Sequence, residues 1–166
     1  MLILATVAAC AKNPTPGKPT PASQPKSVSA PPVNLEGPQP VGAATARGAI
    51  DVFLEAARTQ DIQAMSAVWG STQGAARDYT PHDQTEKRLL IMMCFLKHDK
   101  SAVGAPSAAA GGRLEFPVTL TQGDLTRSTT MTTIPGPAGR YYVETFDMKA
   151  VEPLCQERPA NRAPQQ

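Results

Sequence analysis

The densest set of acid–base groups in the chain is Asp78, Tyr79, His82 and Asp83. Enclosed in an apolar pocket, an Asp-Tyr-His set could move a proton beside a carbonyl, since a positioned carboxylate, phenol or imidazole can give and take protons in a transition state. Thr80-Pro81 in their midst marks a loop-to-helix corner, where the same residue types cap and solvate. Asp147 is the other candidate. On simple alternation it shares a face with Tyr141 and Val143, whereas a bulge after Val143 would turn Phe146 and Met148 inward and Asp147 to solvent. Both arrangements are compatible with the sequence. The chain has two histidines, His82 and His98, and neither an H-E-x-x-H pattern nor a Cys/His cluster, so no metal is expected. G-x-S-x-G, Walker and dinucleotide-binding glycine patterns are also missing from the sequence, so no cofactor is expected.

Sulfur is more informative. Of three cysteines, Cys10 follows an apolar run and the small residues Val7-Ala8-Ala9, and a Pro-rich polar stretch comes directly after it. This order reads as a bacterial lipoprotein processing box: cleavage before Cys10, then acylation of its sulfur and new amino group. The apolar run is short and no Lys or Arg precedes it, so the start codon is expected upstream of Met1. Each acyl CH₂ buried in a bilayer contributes about 0.8 kcal/mol, and two or three chains anchor a domain stably. No stretch reaches the roughly 18 apolar residues of a membrane span. Resemblance to lipoproteins as a class implies outer-membrane sorting, because Ala11 stands where inner-membrane members typically carry Asp. The expected location is the cell envelope, at the periplasmic face of the outer membrane.

Cys94 and Cys155 remain, an even number for an oxidising compartment, and are expected to form a disulfide between the third helix and the end of the last strand. Two separate buried thiols are the alternative. A C-x-x-C redox motif does not occur.

Nine of the 17 prolines lie between Asn13 and Val41. Each removes a backbone donor, and few apolar side chains accompany them, so an extended tether of about 3 Å per residue is expected. The division is residues 1–9 as signal remnant, 10–41 as lipidated cysteine and linker, 42–155 as one domain, and 156–166 as a mobile polar tail. The net charge of +2 is small and the basic residues are scattered, which argues against nucleic acid as a partner.

Within the domain, Ala46, Ala49, Ile50, Phe53, Leu54 and Ala57 form one helical stripe. Asp61 suits the N-cap of a second helix carrying Ile62, Met65, Val68 and Trp69. Gly70 to Gly74 marks a break. A third helix is expected from Thr80-Pro81, with Thr80 capping and Asp83 as its capping-box partner. Its apolar run Leu89 to Leu96 suggests burial on most sides, although such a run also suits a strand. Leu114, Phe116, Val118 and Leu120 alternate with polar residues, and Pro117 suggests an edge or bulge. Gly123-Asp124 is a hairpin turn into Leu125–Ile134, and Arg140–Lys149 reads as the last strand. With a strand near Lys97–Ala105 the sheet is a four-stranded antiparallel meander. Helices first and sheet second make the fold class α+β.

The segment Ala49-Ile50-Asp51-Val52-Phe53-Leu54-Glu55-Ala56-Ala57, with Gln60-Asp61 and Met65 to Trp69, resembles the opening of nuclear transport factor two-like domains (SnoaL-like, cystatin-like cone). Gly139-Arg140-Tyr141-Tyr142-Val143 is similar to the last strand of that superfamily. The resemblance spans Gly42 to about Ala150 and departs from the family at Ser101 to Gly112, which is rich in Ala, Gly and Ser. It implies a curved sheet of about four strands wrapped around a helix, leaving a cone-shaped pocket. The family includes isomerases, cyclases and dehydratases, and also binding modules without chemistry. The expected function is a non-enzymatic lipoprotein binding a small apolar ligand or an envelope protein, with homodimerisation through the sheet face as a further arrangement. One alternative is an acid–base enzyme using the cone. Another is an assembly accessory whose cone is filled by its own side chains.

Overall fold

The computed structural model describes residues 41–156, all within the unit Leu35–Gln166. Cys10, the processing box, the linker through Pro40 and residues 157–166 lie outside the described residues. The architecture is α+β: five helices and an open antiparallel sheet of five strands, beside a separate two-stranded ribbon.

Helix α1, Ala46–Thr59, starts where the Thr45 hydroxyl accepts the Gly48 N–H at 3.0 Å. Its buried stripe is the one its periodicity marks: Ala46, Ala49, Ile50, Phe53, Leu54 and Ala57, with Ala56 beside them. Gln60 closes the helix in the left-handed region (φ 59°). Asp61 then caps α2, Ile62–Val68, by accepting the Ala64 N–H at 2.9 Å. The break that follows is a tight ribbon, β1 Gly70–Ser71 against β2 Gly74–Ala75. Glycine is required at position 70, where a Cβ would lie 2.0 Å from the Gly74 carbonyl oxygen. One helical turn, α3 Ala76–Tyr79, comes next.

Helix α4 spans His82–Phe95, so the helical reading of its apolar run is correct, but two details differ. Thr80 ends α3 by giving its N–H to the Ala76 carbonyl, and Pro81 occupies the N-cap of α4 without a side-chain cap bond. The capping box therefore does not form, and Asp83 instead lies 3.6 Å from Lys87. Burial is also one-sided. Leu89, Met92 and Leu96 are buried, whereas Leu90 is 48% and Ile91 54% exposed. The helix packs on α2 and α5, which occupy only part of its circumference.

The sheet order is β3-β5-β6-β7, with β4 also pairing with β5. Strands β3, Lys100–Val103, and β4, Ser107–Ala108, form one interrupted edge along β5, Leu114–Gln122. Five strands thus stand where four were expected. The interruption faces Pro117, whose carbonyl accepts the Gly104 N–H at 2.8 Å but which has no N–H to return. Gly123-Asp124 joins β5 to β6, Leu125–Pro135, through the Gln122–Leu125 pair. Strand β7, Tyr141–Phe146, pairs with β6 with a shift that leaves Glu144 as the extra residue of a bulge.

The last strand stops at Phe146 and does not run to Lys149. Asp147 accepts the Lys149 and Ala150 N–H groups at 3.0 and 3.2 Å and starts α5, Met148–Cys155. Val151 and Leu154 of this helix join the main core with Phe53, Leu89, Phe116 and Met131. The opposite sheet face carries hydroxyls: Thr119 bonds Ser128, and Thr121 bonds Thr126, each at 3.2 Å.

The free edge of β7 is covered by bridges from Ala43 and Trp69. Arg140 donates to the carbonyls of Val41 and Gly42, fixing the start of the described chain. Beside them Tyr142 is buried, and burial raises its phenol pKa. The fold favours the neutral phenol, so this contribution is present below the usual phenol value of about 10 and lost as pH rises above it. One of the three tyrosines is expected to ionise late in a phenolate-absorbance titration, and Tyr142→Phe should remove that late component.

Candidate functional site

The four clustered acid–base residues lie on the outer corner between α3 and α4, each beside its own neighbour. The Tyr79 hydroxyl donates to Ser71 Oγ at 2.9 Å, and Asp78 lies 3.8 Å from Arg77. His82 is 3.8 Å from Glu86, and Asp83 is paired with Lys87. His82 also borders a cavity of about 40 Å³ with Arg77, Ser66 and Thr85. Asp147 takes the solvent-facing option that a bulge provides: Phe146 is buried, while Asp147 caps α5 and Met148 remains 45% exposed. Among the described residues no three His, Cys, Asp or Glu side chains are grouped to hold a metal. No described helix is long and apolar enough to cross a membrane.

Thr85 is buried, and its hydroxyl has no hydrogen-bond partner among the described residues. Thr85→Val keeps the shape and removes a polar group from the interior. It is expected to raise stability by up to about 1 kcal/mol in urea unfolding. A loss of that size would show that the hydroxyl is bonded in solution.

Cys94 and Cys155 form a disulfide with Cα atoms 4.8 Å apart. It joins α4 to α5 rather than to the last strand, because α5 intervenes after Phe146. A recess of about 430 Å³ with mixed polar and apolar walls lies nearby, bordered by Arg58, Lys97, His98 and Asp99 and by Leu90 and Met93. Its groups are largely engaged in structure. Asp99 accepts the Gly123 N–H at 2.7 Å, Arg58 is paired with Glu55, and His98 Nδ1 lies 2.6 Å from the Leu96 carbonyl oxygen.

The more distinctive site is a mainly apolar cleft of about 340 Å³ between α4, β7 and the start of α5. Four features of the fold assemble it. The parallel bridge between Trp69 and Val143 lays Trp69 along β7. The bulge at Glu144 sets the facing of Thr145 and Phe146. Asp147 turns the chain so that Met148 reaches the rim, and α4 supplies Arg88, Ile91 and Met92 from one flank. Two charged residues border the cleft. Glu144 is held in a two-point ion pair by Arg113, with Nη2 2.7 Å from Oε1, and these bonds hold the Arg113 pKa above its usual value. The Arg88 side chain makes no ion pair or hydrogen bond with the described residues. Gln84 and Thr85 precede it by four and three positions, and Ile91 and Met92 follow at the same spacings, so no acid is within helical reach.

No local pattern in the sequence marks this set, because its members lie near positions 69, 90 and 146. The available signal was α4 itself, whose apolar run contains more residues than one packed stripe can use. Compared with protein-family models, curated proteins and solved structures, the chain finds no match.

Proposed function

We propose that the chain is a bacterial envelope lipoprotein, anchored through Cys10 at the periplasmic face of the outer membrane, whose domain binds an apolar group without transforming it. In this reading the domain is of the nuclear transport factor two-like kind, its curved sheet wrapped around α1. The interior of the cone is taken by Val151 and Leu154, so binding moves to the rim. One observation carries the proposal: a cleft walled by Trp69, Ile91, Phe146 and Met148, in which Ile91 is more than half exposed. Of these, Ile91 and Met148 are exposed while Phe146 is buried behind them. Leaving the exposed pair in water is unfavourable, by about 25 cal/mol for each Å² that could be covered, and a cleft with apolar walls and few polar groups is the expected form of a binding site. Catalysis gains less support. Asp78, Tyr79, His82 and Asp83 sit on an outer corner, Asp147 caps a helix, and none of the five borders the cleft.

The test is a native mass spectrum of the full chain recovered from an oxidising periplasm. An added mass that leaves on collisional activation is expected, and its loss in Ile91→Asp would assign it to the cleft. A clean protein mass would instead favour the assembly-accessory reading, which draws on the filling of the interior by α5.

A further inference from the structure

We infer that the cleft takes an anionic single-chain amphiphile, a fatty carboxylate or its equivalent, with the head on Arg88 and the chain against Trp69, Phe146, Ile91 and Met148; the assignment rests on this cleft being the binding site proposed above. Charge complementarity selects the sign of the head. Of the two charged residues at the cleft, Glu144 is already neutralised by Arg113 through two bonds. Arg88 is exposed and lacks an acidic partner among the described residues, so it alone offers an unmet charge to an incoming group. A guanidinium fits a carboxylate in a two-point arrangement that a lysine ammonium does not reproduce.

The size and chemistry of the walls select the tail. A volume of about 340 Å³ is at the small end for ligand pockets. The walls combine an indole, a phenyl ring and unbranched thioethers, which adapt to a flexible chain. Arg88, Ile91 and Met92 lie on one flank of α4 at spacings of three and four, so a head on Arg88 leaves the adjoining chain beside the apolar wall.

The experiment uses the full 166-residue chain, whose single tryptophan is Trp69 in the cleft wall. Decanoate and decyltrimethylammonium, equal in chain length and opposite in charge, are titrated below micelle formation while Trp69 fluorescence is followed. Decanoate is expected to saturate at about a tenfold lower concentration. Arg88→Gln should bring the two within about threefold, and Arg88→Lys should keep part of the preference. An unchanged melting temperature controls for folding, which an exposed position should satisfy. Equal binding of both amphiphiles to the unsubstituted chain would overturn the anionic assignment while leaving the cleft a binding site. A preference that survives in Arg88→Gln would also overturn it, by placing the head elsewhere. If neither amphiphile alters the fluorescence, the binding reading itself falls. A response to anionic phospholipid vesicles but not to decanoate would replace the soluble ligand with a membrane surface.

Discussion

Removing the Cys94–Cys155 bridge is expected to lower the unfolding free energy by about 4 kcal/mol, the loop-entropy value for closing roughly 60 residues. The sequence separation is 61, and the bridge joins the outer helix α4 to the last described helix. A small domain has only about 5–15 kcal/mol of net stability, so the reduced form should be close to its folding threshold. Urea unfolding of Cys94→Ala/Cys155→Ala against the oxidised chain measures this as a fall in midpoint. The cleft should be affected too, because α4 supplies Arg88, Ile91 and Met92 while α5 supplies Met148. Without the link, α5 is held to α4 only by packing, and ligand affinity should fall with stability. An unchanged midpoint would mean that the unfolded chain is already constrained or that the native bond is strained by an equal amount.

Leu154→Ala is expected to cost about 2–5 kcal/mol, the range for deleting a fully buried leucine. Leu154 is 1% exposed and belongs to the same apolar cluster as Phe53, Leu89 and Phe116. This makes α5 part of the core, although it has eight residues and contains Pro153. The comparison variant is Met148→Ala on the same helix, where the side chain is 45% exposed and the expected cost is within about 0.5 kcal/mol. Similar small losses in both variants would identify α5 as an appendage docked on a self-sufficient domain. The proposed filling of the cone would then be wrong.

Where local periodicity and packing agree, the chain is readable from its residues. Ile50, Phe53 and Leu54 mark α1 because one stripe of that helix meets the sheet, and Asp61 marks α2 because its carboxylate has one good use, at the N-cap. The Gly123 turn fixes the register of β5 on β6, so that hairpin is also legible. The failures share a cause in tertiary context. A proline in an eight-residue segment argues against helix, yet α5 forms because Val151 and Leu154 reach the core and Asp147 satisfies its first amides. The Glu144 bulge could be weighed but not decided, since alternation alone does not register an inserted residue. The break between β3 and β4 depends on which side of β5 the donor-less Pro117 faces, and only the pairing with β6 settles that. The cleft was the least legible feature. It exists because a parallel bridge brings Trp69 to Val143 and because α4 is packed on one side only, two facts that no local pattern contains.

Binding at the cleft is tested most directly by titrating N-phenyl-1-naphthylamine into the full chain and reading energy transfer from Trp69. Because Trp69 is the chain's single tryptophan, transfer reports a probe bound on the domain, and substitution of the cleft rim assigns it to that site. Saturable transfer is expected in the unsubstituted chain. Transfer should be lost in Ile91→Asp/Met148→Asp, two exposed positions where charge spoils the apolar rim without entering the core. No saturable transfer, or transfer undiminished in that variant, would contradict the claim that this cleft is where the protein binds.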